Sequence, residues 1–119
     1  MSSEMLIERQ RRRLEHIVEN AERIRGYVEG LTYDDFANRP MALDAVERCL
    51  ARITEAAIRV GDEVMAAVAP DVPPHVYRGF GNALRHDYDQ IDVRTIWLTA
   101  TKDVPSLGAA CKQALKLVK

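Results

Sequence analysis

Residues 78 to 92 read RGFGNALRHDYDQID, and this stretch gathers groups that do chemistry together. The imidazole of His86 titrates near neutrality, so it can take a proton from a nucleophile or return one to a leaving group. Arg78 and Arg85 each present a fixed fork of donors matched to phosphate oxygens. Asn82 offers one acceptor and two donors and can orient either the imidazole or a phosphate. Such a set suits cleavage of an RNA phosphodiester by its own 2′-hydroxyl, a reaction that needs no metal. The base removes the hydroxyl proton, and arginine stabilises the charge that develops on phosphorus. One imidazole does not easily serve as both base and acid, whereas a two-fold dimer would bring a second copy to the same cleft.

Placed on a helix at about 100° per residue, residues 76 to 91 divide into two faces. Tyr77, Phe80, Leu84 and Ile91 fall on the core side. Arg78, Asn82, Arg85, His86 and Asp89 share the opposite arc. Gly79 and Gly81 carry no side chain and permit close approach of a second backbone or a ligand. The same residues also admit a plain surface reading, with His86 paired to Asp87 or Asp89 and Arg85 to Asp89. The pattern alone leaves both readings open. His75, after two prolines, and His16, on the exposed side of the first helix, read as incidental. A lone histidine with no Cys or second His nearby is a poor metal site, and no cofactor is expected.

The elements that must position this stretch are helical. Leu14, Ile17, Ala21, Ile24, Val28 and Leu31 recur at steps of three and four and predict a long amphipathic helix that tolerates Gly26 and ends near Gly30. Thr32 is placed to cap a short turn through Asp35 and Phe36, and Pro40 to open the next helix. Val46, Cys49, Leu50, Ile53, Ala57, Val60 and Val64 keep the helical period, predicting one helix from about Pro40 to Ala69. Pro70, Pro73 and Pro74 end it and start the third helix, which carries the chemistry. Asp92 can cap a fourth segment with Ile96, Trp97 and Ala100 inward. Pro105 or Ser106 then opens a last helix with Leu107, Ala110, Ala114, Leu115 and Val118. No strand-like alternation, repeat or low-complexity tract occurs. The expected fold is all-α, an antiparallel four- to five-helix bundle with two long helices, forming a single domain over residues 1–119.

Composition narrows the classes. With 119 residues, 47% hydrophobic and 29% charged, the chain is neither disordered nor large enough for two domains. A net charge of −1 disfavours a globally basic nucleic-acid binder but allows a local patch. Arg9 to Arg13 read RQRRR, yet Glu4, Glu8, Glu15 and Glu19 surround them. Pairs such as Glu8–Arg12 and Arg11–Glu15 make this run a solvated helix face. Cys49 and Cys111 read as small buried apolar residues. No apolar run is long enough for a signal peptide or a membrane span, so a cytoplasmic location without membrane association is expected.

GFGNALRHDYDQID, followed by a helix with Trp97 and then DVPSL, resembles the HepT branch of the HEPN superfamily of small all-helical RNase toxins. The likeness extends over YVEGLTYDDF, ITEAA and DVPPHVYRGF, and so over nearly the whole chain. It implies a homodimer with the active site at its interface and a metal-independent endoribonuclease activity on RNA. It further implies a type VII-like toxin–antitoxin pair, the partner being a minimal nucleotidyltransferase antitoxin of the MntA type. His86 matches the motif histidine and Asn82 the polar residue after the motif arginine. Tyr88 matches the tyrosine that receives AMP from the antitoxin, although helical phase puts it nearer the core side. The motif arginine itself is replaced by Gly81. Arg78 and Arg85 then share its role, or the chain is a catalytically weak or inactive nucleotide- or partner-binding module working with a nucleotidyltransferase. Phosphotransfer through His86 is disfavoured, because Asp87 and Asp89 would repel a phosphoryl group.

Overall fold

A computed structural model describes residues 2–74, 76–78 and 92–118. The fold is all-α, built on two long helices. α1 spans Ser3–Arg9 and α2 spans Arg11–Val28, with Gln10 at φ −103°, ψ 11° making the corner between them. α3 covers Tyr33–Ala37 and α4 covers Pro40–Val60. α5 follows over Asp62–Val68 and α6 over Val93–Leu98. A π-helical turn at Thr99–Asp103 leads into α7, Val104–Leu117.

The apolar stripes read from the sequence form the core. Leu14, Ile17 and Ile24 of α2, Val46 and Ile53 of α4, and Leu107 and Cys111 of α7 are wholly enclosed. α2 lies at the centre, packing along both α4 and α7. Its approach to α7 is close, since a Cβ added at Gly108 would sit 2.8 Å from the Ala21 Cβ. Aromatic side chains seal one end. Trp97 packs at 5.3 Å from Phe36 and edge-on to Tyr33, while the Arg94 guanidinium lies 4.1 Å over the Tyr33 ring.

The predicted local signals are in place. Thr32 and Asp35 form a reciprocal capping box, the Thr32 hydroxyl accepting from the Asp35 N–H and the Asp35 carboxylate from the Thr32 N–H. Pro40 opens α4, and Asp92 caps α6 by accepting from the N–H groups of Arg94 and Thr95. Among the described residues no helix is long and apolar enough to cross a membrane.

Three expectations are corrected. The helix expected from Pro40 to Ala69 breaks at Gly61, whose φ of +92° and ψ of 152° are open to glycine and strained for other residues. Periodicity hides this break, because Val60 and Val64 on its two sides are both buried at the helical step of four. The last helix does not start afresh at Pro105 or Ser106. It continues from α6 through the π turn, which accommodates the proline. Pro105 has no N–H for the Thr101 carbonyl, and the widened turn accompanies it, with the Thr101 hydroxyl donating to the Trp97 carbonyl at 2.8 Å. Finally, the corner at Gln10 changes the ion pairing of the arginine run. Arg11 forks onto Glu8 and also donates to the Val118 carbonyl at 2.9 Å, tying the α1–α2 corner to the C-terminal end.

Candidate functional site

Of the residues singled out for chemistry, Arg78 lies among those described. His86, Arg85, Asn82 and Tyr88 lie outside the described residues, as do Gly79, Gly81 and His75. The structure instead fixes the two ends of the stretch that carries them.

At the first end Tyr77 is 1% exposed, on the core side as helical phase predicted. Its carbonyl accepts a 2.9 Å hydrogen bond from the buried Thr54 hydroxyl of α4, so the backbone leading into the motif is anchored to a long helix. Burial pushes the Tyr77 phenol above its ordinary range, and the Asp62 carboxylate acts in the same direction. The adjacent Arg78 projects outward and makes an ion pair with Asp62. The break at Gly61 gives Asp62 its place, at the first position of α5. Sequence reasoning missed this partner because nothing in the helical period marks a break there. Both side chains are about half exposed, so the pair is weak and Arg78 can exchange it for another anion.

At the second end Asp92 closes the stretch. The Thr95 hydroxyl and N–H groups bond its carboxylate and hold it below the usual carboxylate range. The motif thus runs from a residue pinned to α4 to a residue that caps α6.

Cys49, Cys111 and His16 are placed as read from sequence. Cys49 and Cys111 are free and buried, and burial pushes the Cys111 thiol up to about 12. His16 is exposed on α2. Among the described residues no group of His, Cys, Asp and Glu is arranged to hold a metal ion.

Comparison with known proteins places this arrangement. The family described as ribonuclease HepT-like matches residues 17–114, from within α2 into the last turn of α7 and across the whole motif. The chain belongs to the HepT-like ribonuclease family. Among its relatives is a protein of Caldanaerobacter subterraneus subsp. tengcongensis provisionally named an RNase. It is 31% identical over 106 residues, covering 89% of this chain and 94% of that one. A provisionally named ribonuclease HepT of Thermococcus cleftensis is 31% identical over 94 residues, 79% of this chain and 84% of its own. Another provisionally named RNase, from Methanocaldococcus jannaschii, is 27% identical over 100 residues, covering 84% of this chain and 82% of its own. No solved structure gives a significant match.

Proposed function

We propose that this HepT-like chain is a metal-independent endoribonuclease that acts as the toxin of a toxin–antitoxin pair. The observation that carries this reading is the family match over residues 17–114, which spans the histidine motif GNALRHDYD. In the proposed reaction His86 takes the proton of the RNA 2′-hydroxyl. The 2′-oxygen attacks phosphorus, the bond to the 5′-oxygen breaks, and that oxygen takes a proton. The products are a 2′,3′-cyclic phosphate and a free 5′-hydroxyl. Arg85 and Arg78 stabilise the phosphorane charge, Arg78 leaving Asp62 to do so, and Asn82 orients the imidazole. A homodimer supplies a second His86 as the acid.

Tyr88 lies two residues beyond His86, so AMP on its hydroxyl adds negative charge and bulk beside the arginines and blocks RNA. A minimal nucleotidyltransferase antitoxin is the proposed donor of that group. The chemistry is tested by the ends of the cleaved RNA. Cyclic phosphate ends are expected, with a 2′-O-methyl substrate left intact, and cleavage of the methylated strand would refute the internal nucleophile. For the modification, Tyr88→Phe is expected to stay toxic in the presence of the antitoxin. Full neutralisation of that variant would exclude Tyr88 as the target.

A second reading is favoured by Gly81 at the motif arginine and by the Asp62 partner of Arg78. In it the chain binds nucleotide and antitoxin without cutting RNA. Folded wild-type protein that binds nucleotide yet cleaves none of several RNAs would support it.

A further inference from the structure

The arginine run that reads as a solvated face in the sequence does something else in the structure. Arg12 and Arg13 stand with Arg23 along one wall of a cleft between α2 and α4, of about 940 Å³. Arg48, Arg52 and Arg59 line the other wall, and Arg9 and His16 extend the first. The spacing of Arg12, His16 and Arg23 repeats in Arg48, Arg52 and Arg59, four residues and then seven. Each set therefore lies along one face of its helix. In a chain of net charge −1, the described residues of this cleft gather seven arginines against two glutamates.

Such crowding of like charge is unfavourable unless an anion offsets it. The glutamates offset only part. Glu55 holds Arg59 at 2.9 Å, while Glu19 comes no nearer to Arg12 than 3.9 Å. Arg23, Arg48 and Arg52 make no ion pair among the described residues.

Three features identify the anion. Among the described residues every cation in the cleft is arginine, whose planar fork grips phosphate oxygens two at a time. From Arg12 to Arg23 the forks run along about 17 Å of helix at 1.5 Å per residue, which suits a chain of phosphates rather than one small ion. Among the described residues the apolar lining is limited to Ala51 and Ala56, without the aromatic or large apolar anchors on which protein partners centre. A second copy of this chain docked symmetrically would set arginines against arginines.

We propose that the α2–α4 cleft binds the phosphate backbone of an RNA strand and so helps to hold the substrate. The proposal rests on the ribonuclease reading for its role but not for its measurement. Contacts of this kind position a strand without reading its sequence.

The test is fluorescence anisotropy with a labelled 2′-O-methyl oligonucleotide, which internal attack cannot cleave. Three proteins are compared at several salt concentrations, with folding checked by circular dichroism. They are wild type, the triple variant Arg23→Gln/Arg48→Gln/Arg52→Gln, and the charge-matched control Lys102→Gln/Lys112→Gln/Lys116→Gln. All six side chains are exposed, so both variants keep the helices. The arginine variant is expected to bind about tenfold more weakly or worse. Its slope of log affinity against log salt should be shallower by about 2, since each lost phosphate contact removes roughly 0.7. The lysine control should stay within about twofold of wild type. Equal losses in both variants, or none in either, would overturn the proposal. So would poly-glutamate competing as well as RNA, which would mark an acidic protein as the occupant. If wild type cleaves no RNA but the arginine variant alone loses binding, the cleft stands and the ribonuclease reading fails. If His86-dependent cleavage is found and the arginine variant binds like wild type, the cleft proposal alone fails.

Discussion

Asp92 shows how much one side chain carries where the motif meets the fold. Its carboxylate accepts from two backbone N–H groups and from the Thr95 hydroxyl. Asp92→Ala is expected to lower the melting temperature by a few degrees and to loosen the C-terminal end of the motif. The pH dependence has a definite sign. Asp92 and Asp35 are both held below the ordinary carboxylate range, Asp35 by hydrogen bonds within the Thr32 capping box. Groups lowered in this way stabilise the fold above the unfolded value near 3.9, and the contribution disappears as pH falls through the lowered folded value. Asp92→Asn keeps a capping oxygen that does not titrate. Its thermal stability should therefore fall less than that of wild type between about pH 4 and pH 2. Parallel losses in both proteins would show that Asp92 is not a titrating contributor. Caps of this kind are legible in sequence because donor and acceptor lie within three residues. The partner of Arg78 is not, since Asp62 lies sixteen residues earlier, at the start of the helix that follows the break at Gly61.

At the scale of elements, two glycines hold positions that other residues would disturb. Gly61→Ala places a side chain at φ +92° and is expected to cost about 1–3 kcal/mol in denaturant unfolding. Gly108→Ala drives a methyl group to 2.8 Å from the Ala21 Cβ, for a cost of about 1–3 kcal/mol. Ala21→Gly should recover part of that loss in the double variant, because the two substitutions share one contact. Additive losses would mean that the α2–α7 approach is not the cause. The long helices were legible because apolar residues recur at their period, and every stripe residue named on α4 is buried. The break at Gly61 and the π turn at Thr99–Asp103 were not. Both leave the apolar period intact, and both depend on a backbone geometry that side-chain type does not encode.

At the scale of the whole molecule, the motif is a feature of sequence and the cleft a feature of packing. The family was legible from the motif and the order of elements, and the family match over residues 17–114 agrees with that reading. The cleft was not legible, because its arginines come from α1, α2 and α4, and only packing brings them together. Read singly, Arg9 to Arg13 looked balanced by neighbouring glutamates. In the bundle Arg11 is taken up by Glu8 and Val118, while Arg9, Arg12 and Arg13 join the arginines of α4. The central claim is that His86 drives RNA cleavage without a metal. The most direct measurement is cleavage of RNA in EDTA by purified wild type and by His86→Ala, each shown to be folded. The expected result is cleavage by wild type that falls by about 10²-fold or more in the variant, the range for loss of a general base. Equal cleavage by the two proteins, or none by folded wild type, would contradict the claim.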